Sequence, residues 1–129
     1  MTSRGTMSQP QPQRINEADT DMDEDERVLY QGVPFTGEVV ETDEDGVVIG
    51  LNTYLDGREN GPQRAWYDDG TPRSEYQATA GVPTGESHRW HWNGKLARRQ
   101  QYDEFGVVRL REVWDVDGVA QPGQYINSW

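Results

Sequence analysis

The sequence contains no cysteine, which excludes disulfides, thiolate metal sites and a cysteine nucleophile. Cations are scarce: 12 Lys+Arg stand against 23 Asp+Glu, for a formal net charge of -11, and Lys95 is the one lysine. A chain of this sign is not expected to bind nucleic-acid phosphates directly and is repelled by an anionic membrane leaflet. No apolar run approaches 18 residues, so no membrane span is expected. The first ten residues carry no apolar stretch of the kind a secretory signal needs, which points to a cytoplasmic chain. The two histidines, His88 and His91, are three apart. On a strand they face opposite ways, so they cannot share a metal. None of the serines sits in a Gly-x-Ser-x-Gly setting, and no phosphate loop is present. No catalytic residue, metal or cofactor is expected.

Core-forming residues are also few. Val, Ile, Leu and Phe make up 22 of 129 positions, which with this net charge is a composition of disorder. Against it stand 5 Trp and 6 Tyr, and all the aromatics lie at or after Tyr30. Residues 1–29 begin polar (Gln9-Pro-Gln-Pro-Gln13) and turn acidic (Asp19-Thr-Asp-Met-Asp-Glu-Asp-Glu26). Such a stretch cannot bury enough apolar surface to offset its ordering entropy, so residues 1–29 are expected to be a disordered acidic arm. The length leaves room for one domain, over residues 30–129.

That region repeats every 24 residues. Gly46, Gly70, Gly94 and Gly118 form one column; Gly37, Gly61 and Gly85 form another; Trp66, Trp90 and Trp114 form a third, with Thr42 in the first unit. Gly32, Gly57, Gly81 and Gly106 follow at 24 or 25. A fixed period of this size signals a repeat architecture. Each glycine of the first column follows Asp45, Asp69, Asn93 or Asp117, which predicts type I′ hairpin turns there. The flanks are β-rich, as in Glu38-Val-Val-Glu-Thr42 and Val47-Val-Ile-Gly-Leu51. The second connection of each unit reads as longer. No helical period is evident. The expectation is all-β: a single antiparallel meander of about eight strands built from four hairpin repeats, with the segment from Gly123 to Trp129 as a C-terminal cap.

These columns resemble the variant MORN repeat. The resemblance rests on Tyr54-Leu-Asp-Gly57, Asn60-Gly-Pro62 and Trp66-Tyr-Asp-Asp-Gly70, and again on Gly81-Val-Pro-Thr-Gly-Glu86 and Trp90-His-Trp-Asn-Gly94. It covers residues 30–121, and both end units depart from the pattern, as capping repeats do. It implies a β-hairpin fold and no catalytic motif. Among bacterial proteins it resembles the antitoxins of YwqK type and immunity-like proteins, and other MORN-repeat proteins are scaffolds.

Side chains alternate along a strand, so Trp66, Trp90 and Trp114 share one face, two strands or about 10 Å apart. They read either as the core of a one-layer sheet or as an exposed binding stripe. Trp92 is singled out because its column holds Glu44, Asp68 and Val116 elsewhere. Tyr67 and His91 are placed on the other face. Asp68 and Asp69 belong to a rim of turn carboxylates that steers a basic partner. The expected partner-binding residues are Trp66, Tyr67, Trp90, Trp92, Trp114, His91, Asp68 and Asp69. Arg98, Arg99, Arg109 and Arg111 pair with Glu75 or Glu112 across strands, or form a small anion site. The expected function is a protein-binding module, an antitoxin or immunity protein that occludes a basic toxin. The alternatives are a scaffold or assembly module and, less favoured, a small-molecule-binding or enzymatic repeat protein.

Overall fold

The computed structural model describes residues 12–122. Its strands are β1 (Arg14–Asn16), β2 (Thr20–Met22), β3 (Val28–Tyr30), β4 (Val33–Pro34), β5 (Gly37–Thr42), β6 (Val48–Leu55), β7 (Arg58–Trp66), β8 (Pro72–Thr79), β9 (Val82–Trp90), β10 (Leu96–Tyr102) and β11 (Val108–Val113). One 3-10 turn, Glu17–Asp19, follows β1. The described residues hold no α-helix, and no helix long and apolar enough to cross a membrane. The fold is all-β.

β5 to β11 run as an uninterrupted antiparallel meander, each strand paired with the next. The sheet is nevertheless mixed. β1 lies outside β5 and pairs with it in parallel, Ile15 opposite Val39, and completes eight strands. β2, β3 and β4 form a second, three-stranded sheet. The expectations of a single antiparallel sheet and of a disordered arm over 1–29 are therefore corrected from Arg14 onward; residues 1–11 lie outside the described residues. The composition argument failed because it weighed the segment alone. Ile15 is buried against Val39 and Phe35, and the Arg14 guanidinium donates to Glu38 Oε1 at 2.8 Å. Tertiary packing supplies what the segment lacks.

The two kinds of connection are the reverse of the expected assignment. Gln31-Gly32, Asp56-Gly57 and Ala80-Gly81 are the two-residue turns, with both residues at positive φ, as at Asp56 (50°) and Gly57 (84°). That is the type I′ signature. At Asp45-Gly46, Asp69-Gly70, Asn93-Gly94 and Asp117-Gly118 only the glycine has positive φ. There the glycine amide returns to the carbonyl three residues back, as Gly70 N to Tyr67 O at 2.9 Å. A right-handed turn closed by a left-handed glycine needs positive φ once, so Asp or Asn serves as the turn residue before it. Asp103–Gly106 closes β10 to β11 in this second way, where the repeat predicts the first.

The dense core sits at the N-terminal end. Phe35 is fully buried with Ile15 and Val39, and Tyr30 and Tyr54 pack on them. Tyr30 meets Phe35 edge-on, ring centroids 6.0 Å apart. Gly57 locks the small sheet to the large one: its amide donates to Phe35 O at 2.8 Å, and its carbonyl accepts from Val28 N at 2.8 Å. Farther along, one row crosses the whole large sheet: Ile15, Val39, Asn52, Gln63, Tyr76, Ser87, Gln100 and Arg111 are successive cross-strand partners. The row begins apolar and ends polar. Gln63, Ser87 and Gln100 are buried in it. Tyr102 ties Ser87 to Gln100: its hydroxyl donates to Ser87 Oγ at 3.0 Å and accepts from Gln100 Nε2 at 3.0 Å. Gln63 Nε2 donates instead to the carbonyl of Thr53 at 2.8 Å.

Candidate functional site

All eight expected binding residues gather at one long side of the sheet, where β7 turns into β8, β9 into β10, and β11 leads into Asp115–Gly118. The β5–β6 turn, Asp43–Gly46, lies on the same side. This rim is a row of hairpin tips that recurs every second strand.

Trp66, Trp90 and Trp114 close their strands just inside the rim and are half-buried. They are not the core, which lies around Phe35. Trp90 shares its face with His88, on whose ring it stacks at 5.9 Å between centroids. Trp92 does not share that face. It stands in the turn beyond the end of β9, 71% exposed.

Tyr67 and His91 begin their turns, 24 residues apart, and both reach into the next unit. The Tyr67 hydroxyl donates to Trp90 O at 2.6 Å, and His91 Nε2 lies 2.8 Å from Trp114 O. Because a carbonyl only accepts, His91 Nε2 carries the hydrogen. Asn93 Nδ2 donates to Val116 O at 2.8 Å, and Lys95 Nζ to Asp117 O at 3.2 Å. Asp43 and Asp115, in the same column as Tyr67 and His91, close their own turns instead. Asp43 Oδ1 accepts from Asp45 N and Val47 N, and Asp115 Oδ1 from Asp117 N and Val119 N. So one column position either closes its own tip or clamps the neighbouring tip. These clamps were not foreseen, although a column holding Asp, Tyr, His and Asp is their trace in the sequence.

The rim is acidic. Asp43, Glu44 and Asp45 stand on one tip, Asp68 and Asp69 on the next, Asp115 and Asp117 on the last. Among the described residues none of these carboxylates is in an ion pair; the ion pairs involve Asp23, Glu38, Glu86, Asp103 and Glu112. Asp68 and Asp69 are exposed. The hydroxyl and amide of Thr71 donate to Asp69 Oδ1 and hold its carboxyl below the usual range. A shallow depression of about 440 Å³ opens beside Trp114, lined by Lys95, Leu96, Asp117 and Gly118. Trp92 thus rises from the one tip without a carboxylate, between two tips that carry them. Among the described residues no group of three or more His, Asp or Glu is placed to hold a metal ion.

No protein-family profile matches the chain, and no curated protein matches it. It is similar to two crystal structures of TarM, one an S. aureus point mutant in complex with fondaparinux, alpha-GlcNAc-glycerol and UDP. The TM-scores are 0.42 and 0.40, at 11% and 12% identity, over 79% of this chain. The chain spans 18% of the length of those TarM chains. That likeness is too slight to bear on function.

Proposed function

We propose that this chain is a protein-binding module of the bacterial cytoplasm that presents its hairpin-tip rim to a basic partner, and that it acts as an antitoxin or immunity protein by occluding that partner. The observation that carries this reading is Trp92, 71% exposed at a tip and flanked by tips with unpaired carboxylates. A large exposed aromatic inside a polar, charged border has the composition of an interface hot spot. The unpaired acids supply long-range attraction to Lys and Arg, within a chain of net charge -11. The half-buried Trp66, Trp90 and Trp114 support the rim from beneath, and the tyrosine and histidine clamps hold the tips in register. The resemblance to MORN-type antitoxins supports the finer reading.

The test begins with affinity capture of the tagged chain from its native lysate at low and high salt, followed by co-expression with the captured partner. One dominant basic partner, released by salt and toxic unless this chain is present, is the expected result. Trp92→Ala should weaken that complex tenfold or more, roughly the loss a hot-spot aromatic gives, with the melting temperature unchanged. Unchanged affinity in Trp92→Ala removes the rim from the interface. A partner that binds but is harmless alone moves the function to assembly.

A further inference from the structure

The face opposite Trp66, Trp90 and Trp114 carries cations that no carboxylate among the described residues neutralises. Arg89 on β9 stands directly opposite Arg98 on β10. Residues so placed have Cβ atoms about 4.5–5.5 Å apart, and like charges there are destabilising. Arg98 in turn faces Val113 on β11, which puts Arg111 at the diagonal, about 7–8 Å away and within reach of a long side chain. Among the described residues Arg89 and Arg98 make no side-chain hydrogen bond or ion pair, and the Arg111 guanidinium donates to Gln100 Oε1 at 2.7 Å.

The contrast with the other face is sharp. There Glu75, His88, Arg99 and Glu112 are successive cross-strand partners, so carboxylates flank the basic side chains. Arg99 pairs with both Glu112 and Glu86, which pushes its pKa up. On the arginine face of β8 to β11, the cross-strand neighbours of the three cations are Ser74, Tyr76, Ser87, Gln100 and Val113; among the described residues the first carboxylate there is Asp103, which Arg109 holds at 2.9 Å. A chain with nearly twice as many acids as bases thus groups three of its few cations where no acid of the described residues pairs with them.

We propose that Arg89, Arg98 and Arg111 form a binding site for a small, soluble, multivalent oxyanion of the phosphate class. Guanidinium forks bind such oxygens two at a time, and the anion relieves the repulsion between Arg89 and Arg98. Hydroxyl and amide groups of the same face lie beside them. The net charge favours a small ligand. A membrane surface or a nucleic acid is repelled by the whole molecule, whereas a compact anion feels chiefly the local field, screened beyond about 10 Å at ordinary ionic strength.

The experiment is thermal melting of the full chain with inorganic pyrophosphate, against sodium chloride at equal ionic strength. Pyrophosphate at about tenfold its Kd raises Tm by roughly 6–11 °C, and the salt control does not. The double variant Arg89→Gln, Arg98→Gln loses the shift; Arg64→Gln, on the charge-paired face, keeps it. Without ligand, the double variant melts no lower than the parent, because it loses repulsion rather than a bond. The site is refuted if pyrophosphate acts no better than chloride, if the double variant keeps the shift, or if its unliganded Tm falls, which would make the arginines structural.

Discussion

Tyr67→Phe separates the clamp from the interface. The substitution keeps the ring and deletes the hydroxyl that donates to Trp90 O at 2.6 Å. A hydrogen bond of this kind contributes about 0.5–1.5 kcal/mol net, and stranding a part-buried acceptor raises the loss toward 2 kcal/mol. For a domain of about a hundred residues each kcal/mol moves the melting temperature by roughly 4–8 °C, so a fall of about 2–16 °C is expected by calorimetry. In urea the midpoint should fall with the slope unchanged, since no surface is newly exposed. Affinity for a captured partner should change less than about twofold when measured well below the melting temperature, because a residue outside an interface leaves binding energy untouched. A melting temperature within about 1 °C of the parent would refute the clamp, being below the effect of any net-favourable hydrogen bond. Lost affinity at unchanged stability would make the Tyr67 hydroxyl an interface group.

Gly57→Ala is expected to cost roughly 2–4 kcal/mol, read by chemical denaturation, because it combines left-handed strain with a steric clash. Gly57 has φ 84°, and an added Cβ would lie 2.8 Å from Arg27 Cβ and 3.0 Å from Val28 O. A cost below about 1 kcal/mol would mean that the small sheet is not held at this turn. Asp103→Asn should flatten the acid limb of the stability curve. The amides of Val107 and Phe105 and the Arg109 guanidinium hold the Asp103 carboxyl below its usual value. Its contribution is therefore present above the unfolded value near 3.9 and fades as pH falls through the lower folded one. An acid limb identical in parent and variant would refute it. Tyr76 has the opposite sign: burial, and then its hydrogen bond to Glu59, push its pKa up. Stability should decline as pH rises past about 10, and Tyr76→Phe should weaken that decline; an alkaline limb unchanged in the variant would count against it.

The meander was legible because a repeat writes each structural need several times. Gly46, Gly70, Gly94 and Gly118 mark positions where the backbone must turn left-handed, and no other residue holds a whole column there. The type of turn was not legible, since Asp-Gly serves both kinds and only the loop length decides between them. Ala80 and Gln31, at φ 51° and 53°, carry positive φ with no signal in their identity. β1 was hidden for another reason: three residues have no period to read, and what orders them sits 24 positions away in Glu38 and Val39. For the candidate site, the acids and Trp92 could be found by asking which column members the repeat does not require. The clamps could not be assigned: the varied column of Asp43, Tyr67, His91 and Asp115 marks the donors, but the acceptors are backbone carbonyls, which side-chain composition does not name.

The parallel strand β1 also fixes an order of events. Each hairpin of the meander joins neighbours in sequence and can close as soon as it is made, whereas β1 has no partner until β5 exists, and the chain must first pass through β2, β3 and β4. Loops that enclose more residues close later. During synthesis β1 thus emerges before the strand it needs and waits for β5, and until it docks the Val39 edge of the array stays open. β1 works as the latch of that edge.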